Sequence, residues 1–596
     1  MRNLARVSQH SFRRLLLFSA TFAALFLGHS PSDAAPISGD LVISRSVYSG
    51  DASTVTIGQT LPGGGTAVAN GSYPGVWANE GPDASFGVTS PIYLDRYSIA
   101  GISLTPVSSL SVPTSQIVTS FSSKSELALN PSTDGRYLTF MGYVAAPNTL
   151  DVSNSNTPNH VDPTNPVKES FPRAVAQLDA SGVNTTLEVT PVNTYSGNNG
   201  RAAVLDSADG QYFLVGNAGN GSGTEPTSIV SNTGVQIAFP AGSAETTVVG
   251  VQQGTPGQAK GFEFGYSVTL NGYPADKSGK DDNFRGIAIS GNTLYVTKGS
   301  GSNGINTVYQ VGTAGTLPTV LTASSAPVSI LPGFSTTLAN STTGVVMNPF
   351  GIWFANPTTL YVADEGNGST TNPNAGLQKW VLEGDGNWHN VYTLQNGLNR
   401  GVQYSVPGLD PSLNPATDGL RSLAGMVNGD GTVTLFSATS TISASKDQGA
   451  DPNLLVTITD TLSFTSPAQA SSEQFTTLAS AGFGEVLRGV AFVSLSSEVS
   501  TVISGLTYQR KTKIFQGTVQ ITNTGRDIAG PLQVELDNLP AGITLVDATA
   551  THNGNPYITA ATGGLPSGQS VTIPVQFSNP GLVGLNYNVA LFSGSF

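Results

Sequence analysis

The sequence predicts an all-β protein built from a repeated four-stranded unit, with a smaller sandwich at its C-terminal end. Three observations carry that prediction. Only 11% of the 596 residues are charged, while 69 Gly and 36 Pro, with many Ser, Thr and Asn, punctuate short Val, Ile, Leu and Tyr runs, the pattern of short strands between turns. Apolar residues at helical spacing are missing outside the extreme N-terminus. A strand-turn-strand phrase, clearest in DDNFRGIAISGNTLYVTK (Asp281–Lys298), is rewritten along the chain, which marks a repeat.

The N-terminus carries Arg2, Arg6, Arg13 and Arg14, an apolar run from Leu15 to Gly28, then small residues up to Ala34-Ala35. A basic stretch, a short apolar core and a small-residue cleavage site describe a secretory signal peptide over residues 1–34, shorter than the roughly 20 apolar residues of a membrane span. Taking away those four arginines and Asp33 leaves 21 basic against 37 acidic residues, a formal charge of −16. An acidic surface disfavours nucleic acid and anionic membranes. The expected setting is therefore extracellular, periplasmic or envelope-bound, with a small molecule, glycan or protein as partner and no membrane span in the mature chain. With no cysteine, disulfides, thiolate metal sites and cysteine nucleophiles are excluded.

Full copies of the repeat open at Glu126, Arg201, Arg285, Phe350 and Arg421, and equivalent positions Leu138, Phe213, Leu294, Leu360 and Val433 lie 75, 81, 66 and 73 residues apart. Such intervals hold four strands and their loops, the blade of a β-propeller. One blade cannot bury both faces, so blades stack radially. Arg488–Val493 reads as a first strand with no hairpin after it, completing a blade begun by Asp40–Val112 and so hiding the edges of an open ring. With a degenerate unit at Glu245–Leu270 the count is seven blades, and six without it. The propeller is expected over 35–496. Short alternating strands over 497–596, such as Phe515–Thr522 and Val571–Phe577, predict an immunoglobulin-like β-sandwich.

The first strand of each blade lines a central channel, so Arg201, Arg285, Arg421, Arg488 and Glu126 are expected to meet at its mouth. Guanidinium groups there suit a carboxylate or sulfate, or else pair with loop carboxylates of neighbouring blades. Glycine-flanked acids, Asp276 with Asp281 and Asp282, and Asp364 with Glu365, are the candidates for a Ca²⁺ site, although none fits the EF-hand loop and Asp-Gly pairs also make ordinary turns. His160, His389 and His552 are too few for a centre built on several imidazoles. His160 and Asp162, in the polar loop Asn154–Pro166, are acid–base candidates of lower rank. Trp353 and Trp380 sit in strands and are expected in the core, while Trp388, beside Gly386-Asn387, is the better surface candidate.

Phrases such as Thr359-Leu360-Tyr361-Val362-Ala363-Asp364 and Gly376-Leu377-Gln378-Lys379-Trp380 resemble those of secreted bacterial β-propeller proteins, over Gly39–Val493. The tail, with Asn523-Thr524-Gly525 and Leu565-Pro566-Ser567-Gly568-Gln569-Ser570, is similar to accessory sandwich domains of exported bacterial proteins. The resemblance implies fold rather than chemistry. Its first implication is an exported binding or scaffold platform; the alternative is a hydrolase or lyase acting on an extracellular ester, lactone or polysaccharide, with Ca²⁺ as the only cofactor in view.

Overall fold

The computed structural model describes residues 35–36, 40–492 and 499–593, apart from internal stretches of which the longest are 218–233 and 250–282. The signal segment and most of the Glu245–Leu270 unit lie outside these residues. Among the described residues no helix is long and apolar enough to cross a membrane.

Among the described residues between 40 and 492 there are six antiparallel sheets of four or five strands and a two-stranded one, Thr89–Ser90 with Thr119–Ser120. The first joins both ends of this span, in the order Glu485–Phe492, Leu41–Val47, Ile92–Ala100, Ser103–Ser111; Leu41 pairs with Phe492 and Ile43 with Val490. The innermost strands of the next four sheets are Asn130–Pro131, Gly200–Asp206, Phe284–Ser290 and Pro349–Asn356. In the sixth sheet Ala416–Leu420 and Ala424–Val427 both pair with Thr432–Ile442, and Arg421 falls in the break between them. The five positions that align the repeats all lie on the second strand of their sheet and all are buried. Val248–Val249 pair with Val235–Ala238 as the outer strand of the third sheet, and the innermost strands of the third and fourth sheets pack directly on each other.

Hydrogen bonds tie each sheet to the next. Ser44 of the first donates to Leu127 O of the segment leading into the second (2.7 Å), Thr139 of the second to Ala203 O of the third (2.7 Å), and Arg201 of the third to Phe284 O of the fourth (2.8 Å). Thr297 donates to Phe350 O (2.6 Å), and Gly351 N to Arg421 O (2.7 Å). Asn453 of the sixth sheet then both donates to and accepts from Leu487 of the first. Each such bond contributes on the order of 1 kcal/mol net, so its main value is registration.

The innermost strands share an irregularity that the sequence does not announce. Each of the first, third, fourth and fifth sheets has a register shift there, spanning Leu487–Val490, Gly200–Ala202, Phe284–Ile287 and Pro349–Ile352. A β-bulge inserts a residue and re-aims its side chain, and the residues within these shifts are Arg488-Gly489, Arg201 alone, Arg285-Gly286 and Phe350-Gly351. The glycine of the pair answers to the neighbouring sheet: a Cβ on Gly286 would lie 2.1 Å from Phe350 O, and one on Gly489 2.3 Å from Leu127 O. The expected strand at Glu126–Leu129 does not form. Leu127 adopts a φ of 62°, a left-handed conformation costly for Leu, and Glu126 beside it is buried.

Residues 499–593 form two further antiparallel sheets around one core that includes Val519, Ile521, Val534, Leu536, Val575 and Phe577. Ala35–Pro36 extend the sheet containing Asn588–Ser593, so the start of the expected propeller span pairs with the C-terminal strands. Trp388 is buried and meets Phe354 edge-on at 6.0 Å, correcting the surface expectation; its neighbours across the sheets fill that side of the strand. Trp380 stacks on Phe334 at 3.8 Å.

Candidate functional site

A narrow passage of about 60 Å³ runs between the innermost strands, and Glu126, Arg285, Arg421 and Arg488 all line it. Four of the five expected mouth residues therefore come together. Arg201 lines the wider cleft of about 390 Å³ above, which Arg285 shares. The sequence missed Lys124, which lines both spaces; its only signal was its place in the Ser122-Ser123-Lys124-Ser125 run just before Glu126.

Glu365 is the counterion at the centre. It accepts from Lys124 (2.5 Å) and from Arg421 Nε (3.1 Å). Burial alone would raise its pKa, but Lys124 and Arg421 hold it below the usual carboxylate value. Glu126 is held by neutral donors: Thr119 Oγ1 (2.8 Å), Ser120 N (2.9 Å), the Tyr143 hydroxyl and Asn199 Nδ2 (3.0 Å) all donate to it.

The remaining arginines are held by neutral acceptors. Arg285 donates to the hydroxyls of Ser125 and Ser300 and lies 5.6 Å from the Phe350 ring centroid. Arg488 donates to Phe121 O and to Gly449 O (2.7 Å). Their pKa values fall below the ordinary arginine value, chiefly through burial and then through neighbouring arginines, that of Arg488 to about 9. Lys124 is likewise lowered, by burial first. Such crowding of cations in an acidic protein is costly unless an anion joins them.

Three N–H groups in the passage are left over. Arg285 Nε, Arg421 Nη2 and Arg488 Nη1 are buried and have no acceptor among the described residues, and all three residues line the same passage. Buried donors are rarely left unpaired, because each costs about 1–3 kcal/mol.

Asp364 and Glu365, the calcium candidates within the described residues, accept from donors of the chain itself. Asp364 accepts from Asn348 N (2.7 Å), Gly366 N (2.9 Å) and Gln378 Nε2 (3.1 Å), and Glu365 is held by two cations, so their oxygens already serve the chain's own donors. Asp276, Asp281 and Asp282 lie outside the described residues. Among the described residues no three His, Asp or Glu gather as a metal site. In the polar Asn154–Pro166 loop, Ser155, Asn156, Thr157, Asp162 and Asn165 are buried, while Asn159, Val161, Pro163, Thr164 and Pro166 are exposed. Asp162 Oδ1 accepts from both Thr164 N and Thr164 Oγ1 (2.7 Å each). Fully buried Arg173 anchors the loop by donating to Ser153 O (3.0 Å), Ser155 O (2.9 Å) and Asn198 O.

Asp447 also lines the cleft. Burial raises its pKa, and that of half-buried Glu80 is raised to about 9, first by burial and then by Asp447. Asp151, next to the cleft loop, is raised to about 8 by burial and then by Asp83. An acid raised in the folded state keeps its proton there, whereas the unfolded chain loses it near pH 4. The contribution of Asp151 is therefore full below about pH 4 and is lost as pH rises through about 8. Melting curves should show Asp151→Asn losing less stability than the parent between pH 5 and 8.5; parallel curves would contradict the assignment.

No family model matches the chain, and no curated protein does. Among solved structures the chain is similar to the Pseudomonas aeruginosa periplasmic gluconolactonase, at 11% identity and a TM-score of 0.31, covering 92% of this chain and 99% of that one. It is also similar to a protein of Bacteroides uniformis described as a 6-phosphogluconolactonase, at 11% identity and 0.32, covering 82% and 93%. A Bacteroides fragilis counterpart matches at 10% and 0.31, covering 82% and 91%. At these TM-scores the likenesses carry no argument about activity or substrate.

Proposed function

We propose that the six sheets are the blades of a closed six-bladed propeller, that residues 499–593 are an immunoglobulin-like spacer, and that the exported chain binds an organic anion in the axial passage. The hydrogen bonds leading from sheet to sheet and back from Asn453 to Leu487 support the closure. The observation that carries the function is the set of three acceptor-less guanidinium N–H groups in one passage of a chain whose formal charge is −13.

Charge-assisted hydrogen bonds are worth about 1.5–3 kcal/mol each. Arg285→Gln and Arg421→Gln should therefore each weaken carboxylate or sulfate binding by roughly tenfold to a hundredfold, read by calorimetry and by the anion-induced rise in melting temperature. Unchanged affinity in both variants would overturn the reading.

A second reading is hydrolytic, and the Glu80–Asp447 pair favours it. A carboxyl raised to about 9 at Glu80, with Asp447 lining the cationic cleft, suits general acid–base attack of water on a lactone or ester, with the guanidinium groups facing the developing oxyanion. A screen of lactones and esters in which the parent turns over a substrate and Asp447→Asn does not would place catalysis there.

A further inference from the structure

The passage does not end at the cations. Beyond them it opens into a chamber of about 520 Å³, and Leu129, Ile287, Ile352, Leu423 and Val490 line both spaces. After each bulge the innermost strands resume alternation, so Ile287 with Ile289, Ile352 with Phe354, and Val490 with Phe492 share a side of their strands. Ile289, Phe354 and Phe492 line the chamber, as does Trp353, and polar groups gather at residues such as Thr133, Ser290 and Asn292. Among the described residues no Asp, Glu, Lys or Arg lines it.

The axis is thus polar and cationic at one end and apolar at the other. A sugar acid or inorganic anion would use only the first half and would leave a chamber of ligand size lined by aliphatic and aromatic side chains. We infer that the ligand is an amphiphilic carboxylate, its head held by Arg285, Arg421 and Arg488 and its alkyl or aryl tail lying in the chamber. The inference rests on the anion-binding reading above and adds to it the nature of the rest of the ligand.

Calorimetry on the full chain with acetate, hexanoate, decanoate and decyltrimethylammonium, each below its micelle concentration, tests it. Transfer of a methylene from water to an apolar site corresponds to about fourfold in affinity, so decanoate should bind at least a hundredfold more tightly than acetate, with a negative heat-capacity change that acetate lacks. Ile289→Asn should weaken decanoate and spare acetate, while Arg285→Gln weakens both; the chain-length series itself needs no variant. Equal affinity for acetate and decanoate would overturn the amphiphile inference and leave the anion reading standing. Decyltrimethylammonium binding as tightly as decanoate would overturn it as well, and no binding of any carboxylate would overturn both.

Discussion

Replacing Lys379 by methionine should destabilise the protein by about 3–5 kcal/mol, the cost of stranding a buried charge. Lys379 and Asp460 are both fully buried and 2.9 Å apart. The lysine also donates to the Tyr392 hydroxyl (2.9 Å), Thr461 O (2.8 Å) and Leu462 O (3.1 Å), and both Tyr361 and Tyr392 donate to Asp460. The network joins the fifth sheet to the sixth. With the lysine gone, Asp460 keeps two hydroxyl donors and loses the counterion 2.9 Å away. Removing both charges together in Lys379→Met/Asp460→Leu should recover much of the loss, because a well-packed apolar pair replaces an ion pair at little net cost. Denaturant unfolding of the single and double variants checks this; a double variant no more stable than the single one would contradict it.

Gly489→Val should be the other severe substitution. The Cβ it adds would lie 2.3 Å from Leu127 O and 2.4 Å from Leu129 N, backbone atoms that cannot swing aside. Overpacking of this kind costs about 1–3 kcal/mol or more, and here it would force apart the first and second sheets, where the two ends of the 40–492 span meet. Gly384→Ala, at a position with open space around it, is the control and should be nearly neutral. Equal melting temperatures for Gly489→Val and the parent would refute the close approach of the two sheets.

The repeat was readable because turn chemistry and β-branched runs recur at each copy, and the positions Leu138, Phe213, Leu294, Leu360 and Val433 need only share a burial pattern to align. The arginines at the head of the copies were readable for the same reason. What stayed hidden depends on contacts made far apart in sequence. Glu365 looked like a metal ligand beside Asp364; its role is fixed by Lys124, which lies 241 residues away. Leu127 carries no turn residue's signature, and only the packing of Gly489 and Ser44 against it accounts for its backbone. Ser155 and Asn156 are polar in sequence, and their burial goes with Arg173, which donates to both of their carbonyls.

The most direct test of the account is an anomalous-scattering crystal structure of the protein soaked in bromide. An anion held by the passage should give a peak within hydrogen-bond reach of Arg285 Nε, Arg421 Nη2 and Arg488 Nη1, and the peak should vanish in Arg285→Gln/Arg421→Gln. A passage with no bromide, in which those three N–H groups have found acceptors within the chain, would contradict the claim that this site is built for an anion.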